Sequence, residues 1–229
     1  WAVLNGAAVT YKLPAPIKVT APSVQASAVA SNGGNLQVTA TAHGMTGGTV
    51  VGSSVYVSAG TGWTAGLYSI LSVDSVNTYT LNVARGTLGV PTVALANGTD
   101  ELTLLTMAGP PLLSSSSLTG SIGAECSGQN TNTKRIIFDF STARVFNANM
   151  SLLADFGVYG NFTVKNLGST SSQKTMMPVS IITGYSRLTS APVSSSINTA
   201  AAYSMYVRAI LGAANDIITL NEVDLMVRM

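Results

Sequence analysis

The chain has 229 residues, 46% of them hydrophobic, which is enough for a buried core, but only 9% are charged against roughly 25% in ordinary soluble domains. Its 11 basic and 9 acidic residues leave a formal charge of +2 with no basic block, and there is one cysteine, Cys126, and one histidine, His43. This inventory speaks against a nucleic-acid binder, a disulfide scaffold, a His-based metal site, a bound cofactor and a Ser-His-Asp triad, and no run of about 18 apolar residues marks a membrane span.

Residues 1–30 read as an extended N-terminal arm. Pro14, Pro16 and Pro22 hold the residues before them in β or polyproline conformations, and no acidic residue precedes Asp74. Leu4, Tyr11, Leu13, Ile17 and Val19 give the arm more apolar surface than a free terminus carries. The expectation is an interface segment laid on a neighbouring subunit, against the plainer alternative of a poorly ordered end.

Residues 31–109 read as a small antiparallel β module. Leu36 to Ala42 alternates with period two, Val50 to Ser58 follows a Gly-rich turn, and Gly66 to Val73 joins Thr78 to Val83 through the turn residues Asp-Ser-Val-Asn. Glu101 to Met107 reads as a further strand closing this module. Pro110 and Pro111, the serines 114–117 and the polar run 127–133 then suggest a linker over 110–133.

Residues 134–229 read as a second all-β unit. Segments 135–141, 150–168, 174–186, 201–212 and 216–229 all have strand character. Alternation is cleanest at the end, with Val223, Leu225, Val227 and Met229 on one face and Asp224, Met226 and Arg228 on the other. Ala201 to Gly212 has helical propensity but is read as strand, because its neighbours alternate. The fold class is therefore all-β: an extended arm, a small antiparallel module, and an antiparallel β-sandwich or jelly-roll-like domain.

The run from His43 to Leu81 resembles a small β module common in tailed-bacteriophage structural proteins. His43, Gly44, Gly47, Val55, Val57, Gly66, Tyr68, Val73 and the stretch Asn77, Thr78, Tyr79, Thr80, Leu81 fall on its pattern, with Met45 where a bulkier apolar residue is usual. The C-terminal half is similar, at the level of fold, to the jelly-roll end domains of phage head and fibre proteins. The resemblance implies a virion location and no catalytic activity. It also implies self-association as a homotrimer, with the major capsid protein or another virion protein as further partner.

Several side chains could carry chemistry. His43 could act as a general base oriented by Asp74 or Asp139, but the resemblance to the phage module implies a turn before Gly44 in which the ring bonds loop backbone. Asp139 and Asp155 could form a glycosidase pair. With Phe138 and Phe140 inward, however, Asp139 points to solvent on a solvated face or enters a salt link to Arg135 or Arg144. Asp216, Glu222 and Asp224 with Asn215 and Asn221 lack the close spacing of a calcium loop. Trp63, with Tyr68 nearby, could stack on a glycan, fill an inter-subunit pocket or cover its own module core; core or interface is preferred. Cys126 reads as an inert thiol.

The expected function is a non-enzymatic virion structural protein of a tailed phage, decorating or cementing the capsid through nearly neutral contacts. The alternative is a tail or fibre adhesin for host-surface glycans.

Overall fold

The computed structural model describes residues 2–4, 8–127, 132–149, 156–176, 181–183 and 193–228. In chain order its strands are β1 (Ala2–Leu4), β2 (Ala8–Lys12), β3 (Ile17–Val19), β4 (Ala28–Asn32) and β5 (Asn35–Thr39). A single helical turn, α1 (Gly47–Val50), precedes β6 (Ser54–Ala59), β7 (Gly66–Ser75), β8 (Thr78–Ala84), β9 (Thr92–Val93) and β10 (Leu102–Gly109). There follow β11 (Ser117–Ser127), β12 (Lys134–Phe140), β13 (Ala143–Asn149), β14 (Phe156–Asn166), β15 (Gln173–Met176), β16 (Ile181–Thr183), β17 (Val193–Ser195), β18 (Tyr203–Leu211) and β19 (Ile217–Arg228).

Two sheets face each other in the C-terminal half. β11 lies between β14 and β19 in the larger sheet, and β10, β18, β12 and β13 form the smaller, antiparallel one. Alternation dictates what fills the gap: Leu118, Ile122, Phe162, Val223 and Leu225 come from one sheet, Phe138, Phe140, Met205 and Val207 from the other. The Phe138 and Phe162 rings meet across the gap with centroids 4.5 Å apart. As its alternation predicts, β19 buries Val223, Leu225 and Val227 completely; Met229 lies outside the described residues. Residues 203–211 form a strand with every second side chain in the core.

The larger sheet does not stop at the sandwich. β19 also pairs with β3, Val19 pairs in parallel with Ser54 of β6, and the sheet continues through β7, β8, β5 and β4. This extension holds the strands that the sequence places between Leu36 and Val83, and it adds β4, which begins within the expected arm. Its own core gathers Leu36, Val38, Val50, Val55, Ile70, Tyr79 and Leu81. Val50 and Val51 belong to α1 and its end, not to a strand, and Gly52 at φ +84° turns the chain back into β6.

Three expectations are corrected. First, residues 8–21 do not extend away from the molecule. β2 pairs with β19, and Val19 and Ala21 are completely buried in the sandwich core. Tyr11, Leu13 and Ile17 are half-buried and pack against that core, so part of their apolar surface is spent within the chain. Of Leu4, only the backbone is described, opposite Ala8 in the β1–β2 hairpin. The prolines were compatible with either outcome, since an edge or short strand tolerates them.

Second, Glu101 to Met107 does not close the module: β10 pairs along its whole length with β18, from Leu102 opposite Ala209 to Gly109 opposite Tyr203. Third, the supposed linker holds β11, the strand of the larger sheet that lies between β14 and β19. Its glycines and serines mask a regular alternation in which Leu118, Ile122, Ala124 and Cys126 point inward.

Candidate functional site

The densest group of ionisable side chains lies on the outer face of the smaller sheet. With Phe138 and Phe140 fixed in the core, β12 turns Asp139 to the other face. Register places Arg144 of β13 opposite Asp139, Arg208 of β18 opposite Ile137, and Glu101 just before β10. Arg144 Nε donates to Asp139 Oδ1 at 3.0 Å, and its Nη2 donates to Glu101 Oε1 at 2.7 Å. Arg208 Nη1 donates to Glu101 Oε2 at 3.2 Å and also to Asp139 Oδ2. Its guanidinium carbon sits 4.7 Å from the centroid of the Tyr206 ring. The hydrogen bond to Asp139 raises the Arg144 pKa above its ordinary value; burial opposes this and Glu101 adds to it.

A depression of about 560 Å³ opens beside this cluster, bounded by Tyr206, Ser141 and Thr142. Ser141 has φ +55° because the hairpin from β12 to β13 turns through two residues, a connection that demands positive φ. Beyond the same turn lies a hydroxyl-rich depression of about 570 Å³ walled by Ser194, Ser195, Asn198 and Tyr203. The cluster is internally balanced, two guanidiniums against two carboxylates. Of the alternatives the sequence leaves open for Asp139, the salt link to Arg144 is the one found; the solvated face is corrected, since Asp139 is buried under both guanidiniums, and Glu101 and Arg208, distant along the chain, were not legible. Asp155, the other half of the supposed acid pair, lies outside the described residues.

His43 is completely buried in the module. Its Nδ1 accepts the backbone N–H of Met45 at 3.0 Å, so the proton of the neutral ring sits on Nε2, which donates to the Ser75 carbonyl at 3.0 Å. The ring also meets Tyr79 edge-on, with centroids 5.4 Å apart. Both nitrogens are thus committed to backbone, as the turn reading requires. Asp74 does not orient His43. It accepts from Ser72 (2.6 Å), Thr80 (2.7 Å) and Gln37 (2.9 Å). Burial pushes its carboxyl up, but these hydrogen bonds together outweigh that and hold it below the usual range.

Trp63 is half-buried on the module. Its Nε1 donates to the Gly89 carbonyl at 2.9 Å, and its ring meets Tyr68 edge-on with centroids 4.8 Å apart. Tyr68 in turn donates its hydroxyl to the Thr64 carbonyl at 2.8 Å. Both rings pack against the module core.

The supposed calcium ligands do not converge. Asp216 is fully buried against Lys134, Glu222 accepts from Ser121 at 2.8 Å, and Asp224 faces Lys12 at 3.5 Å. Asn215 accepts the backbone N–H of Thr46, and Asn221 is exposed at the edge of another depression. Among the described residues no three acidic, His or Cys side chains gather as a metal site. Cys126 is buried in β11.

The fold thus defines a two-sheet β-sandwich whose larger sheet carries a small β module. No protein-family model matches the chain, and no curated protein matches it in sequence. Among solved structures, the chain is similar to the CBM2 module of the evolved Dit of Lactobacillus casei BL23 phage J-1, at 4% identity over 53% of this chain and 67% of that one, with a TM-score of 0.29. It is also similar to the lectin UEA-II complexed with galactose, at 8% identity over 96% and 99% with a TM-score of 0.36. Peanut lectin with a nine-residue peptide gives 10% identity over 96% and 97% and a TM-score of 0.30. These TM-scores lie below the level at which a shared fold carries over, so the functional reading rests on the chain's own geometry.

Proposed function

We propose that this chain is a non-enzymatic structural subunit of a tailed-phage particle, a capsid decoration or minor head protein that holds its place through contacts with copies of itself and with the major capsid protein. One observation carries this reading: the side chains best suited to run a reaction are already spent on the fold. Both nitrogens of His43 hold backbone, and Asp139 is gripped by Arg144 and Arg208. The scarcity of charge supports it too, because identical neighbours then repel little.

With residues 8–21 absorbed into the sandwich, the contact surface must lie elsewhere. Leu113 and Leu167 are 59% and 53% exposed on two loops tied together by Asn166, whose side chain donates to the Leu113 carbonyl at 2.6 Å. Burying such apolar pairs contributes at ~25 cal/mol per Å² before the entropy of association is subtracted. The adhesin alternative through Trp63 is less favoured, since that indole is held by Gly89 and Tyr68.

The test is to purify particles of the encoding phage and measure their protein composition by mass spectrometry. This chain is expected at a fixed copy number, and a Leu113→Asp, Leu167→Asp variant is expected to fold yet fail to attach. Absence of the chain from particles, with abundant chain in the lysate, overturns the reading.

A further inference from the structure

The open face of the larger sheet is graded in height. On β11 the outward side chains from Thr119 through Ser121 to Gly123 are small, and the exposed Glu125 ends the row. Register sets a taller residue on either side of each one. Tyr159 and Glu222 flank Gly123, Asn161 and Asp224 flank Ser121, and Thr163 and Met226 flank Thr119. The result is a trough with β11 as its floor and β14 and β19 as its walls. Two depressions of about 260 and 280 Å³ lie end to end along it. From Thr119 to Gly123 the floor runs about 13 Å at the usual rise of a strand.

Gly123 leaves the floor bare between the walls. A Cβ there would stand 3.2 Å from the Glu222 Cβ, tight by a few tenths of an ångström, and 3.6 Å from the Tyr159 ring, an ordinary contact. The Tyr159 ring, 36% exposed, lines the trough beside it.

We propose that this trough binds an extended, uncharged oligosaccharide. The chemistry selects that class in three ways. Hydroxyl, amide and carboxylate groups alternate along the walls, offering both donors and acceptors to a chain of sugar hydroxyls. A partly exposed aromatic ring beside a floor without a side chain gives a sugar ring an apolar face to rest on. The wall carboxylates are already engaged, Glu222 by the Ser121 hydroxyl at 2.8 Å and Asp224 by Lys12 at 3.5 Å. Glu125, Glu222 and Asp224 make one end acidic, whereas Lys12 stands beside Asp224 and Lys165 and Arg228 flank Ser117 at the other end, so no strip of one sign runs the length of the trough for a polyion. Phosphate backbones would meet Glu222 and Asp224, and a protein partner would need more apolar area than Met226 and Tyr159 supply. The site is separate from Trp63 and Tyr68, and it stands whether or not the chain belongs to a capsid.

The experiment titrates the full chain with four neutral linear hexasaccharides (cellohexaose, maltohexaose, mannohexaose and hexa-N-acetylchitohexaose), followed by calorimetry and by saturation-transfer NMR. At least one is expected to bind at up to millimolar concentration. Tyr159→Ala should weaken that ligand about tenfold, as loss of one ring contact implies, while Tyr159→Phe retains it. Asn161→Ala should weaken it as well, and Trp63→Ala should leave it unchanged. Thermal melting and circular dichroism of each variant confirm an intact fold, and a Tyr159→Ala chain that melts early is replaced by Asn161→Ala and Thr163→Ala together. The proposal is overturned if none of the four sugars binds, if binding survives these variants undiminished, or if it disappears with Trp63→Ala instead.

Discussion

Lys134 Nζ lies 3.4 Å from Asp216 Oδ1, and both side chains are wholly removed from solvent. The pair fastens the start of β12 to the turn before β19. Asp216 also accepts the Ala213 N–H at 3.0 Å, while Thr20 donates to the carbonyls of Ala214 (3.0 Å) and Asp216 (2.9 Å). Four segments distant in sequence therefore meet where the sandwich joins the module, for Asn215 reaches Thr46 and Ala214 packs into the module core.

A buried charge that loses its partner is far costlier than the pair is beneficial. Lys134→Met alone should destabilise the chain by about 3–5 kcal/mol, and Lys134→Met with Asp216→Leu by distinctly less. Urea unfolding of the two variants measures the difference. Equal losses would mean that the ion pair is not what ties the turn to β12.

Tyr79 is completely buried beside His43, and its hydroxyl has no hydrogen-bond partner among the described residues. Burial accordingly pushes its phenol pKa well up. Removing an unpaired buried hydroxyl removes its desolvation cost, so Tyr79→Phe should hold or raise stability by about 1 kcal/mol. A clear drop in melting temperature would show that the hydroxyl is satisfied after all.

Asp74 has a folded-state pKa below its ordinary value. Its contribution is therefore present above the unfolded carboxylate pKa and is lost as pH falls through the folded one. Asp74→Asn should be less stable than the wild type at neutral pH, and the gap should close as pH drops below about 4. Chemical unfolding across a pH series reads this directly; a gap that persists unchanged in acid would remove Asp74 as its source.

Deleting residues 1–30 should unfold the sandwich, since it removes β2, β3 and the buried Val19 and Ala21. Val19→Ala is a milder probe, with an expected cost of about 2–3 kcal/mol from lost burial and the space left behind. A folded, cooperative deletion variant would return these residues to the status of a detachable arm.

Local character was legible from the residues: period-two alternation in β19 and the hairpin of β7 and β8 follow from residue type and spacing, which act over a few neighbours. The strand at 203–211 is read from its alternating neighbours against a helical propensity, and the backbone-bound His43 from the resemblance to the phage module. Tertiary structure decided which strands are partners. β10 left the module for β18, β11 emerged from a run of Gly and Ser that looked like linker, and residues 8–21 entered the sheet. Small residues carry no hydrophobic signal, yet they suit the middle of a sheet whose walls are built by others. Likewise, Glu101, Asp139, Arg144 and Arg208, and the rows across Gly123 and Ser121, exist only once register brings distant strands abreast. Strand pairing is satisfied by any backbone of the right length, so the choice among partners falls to the packing of the whole core.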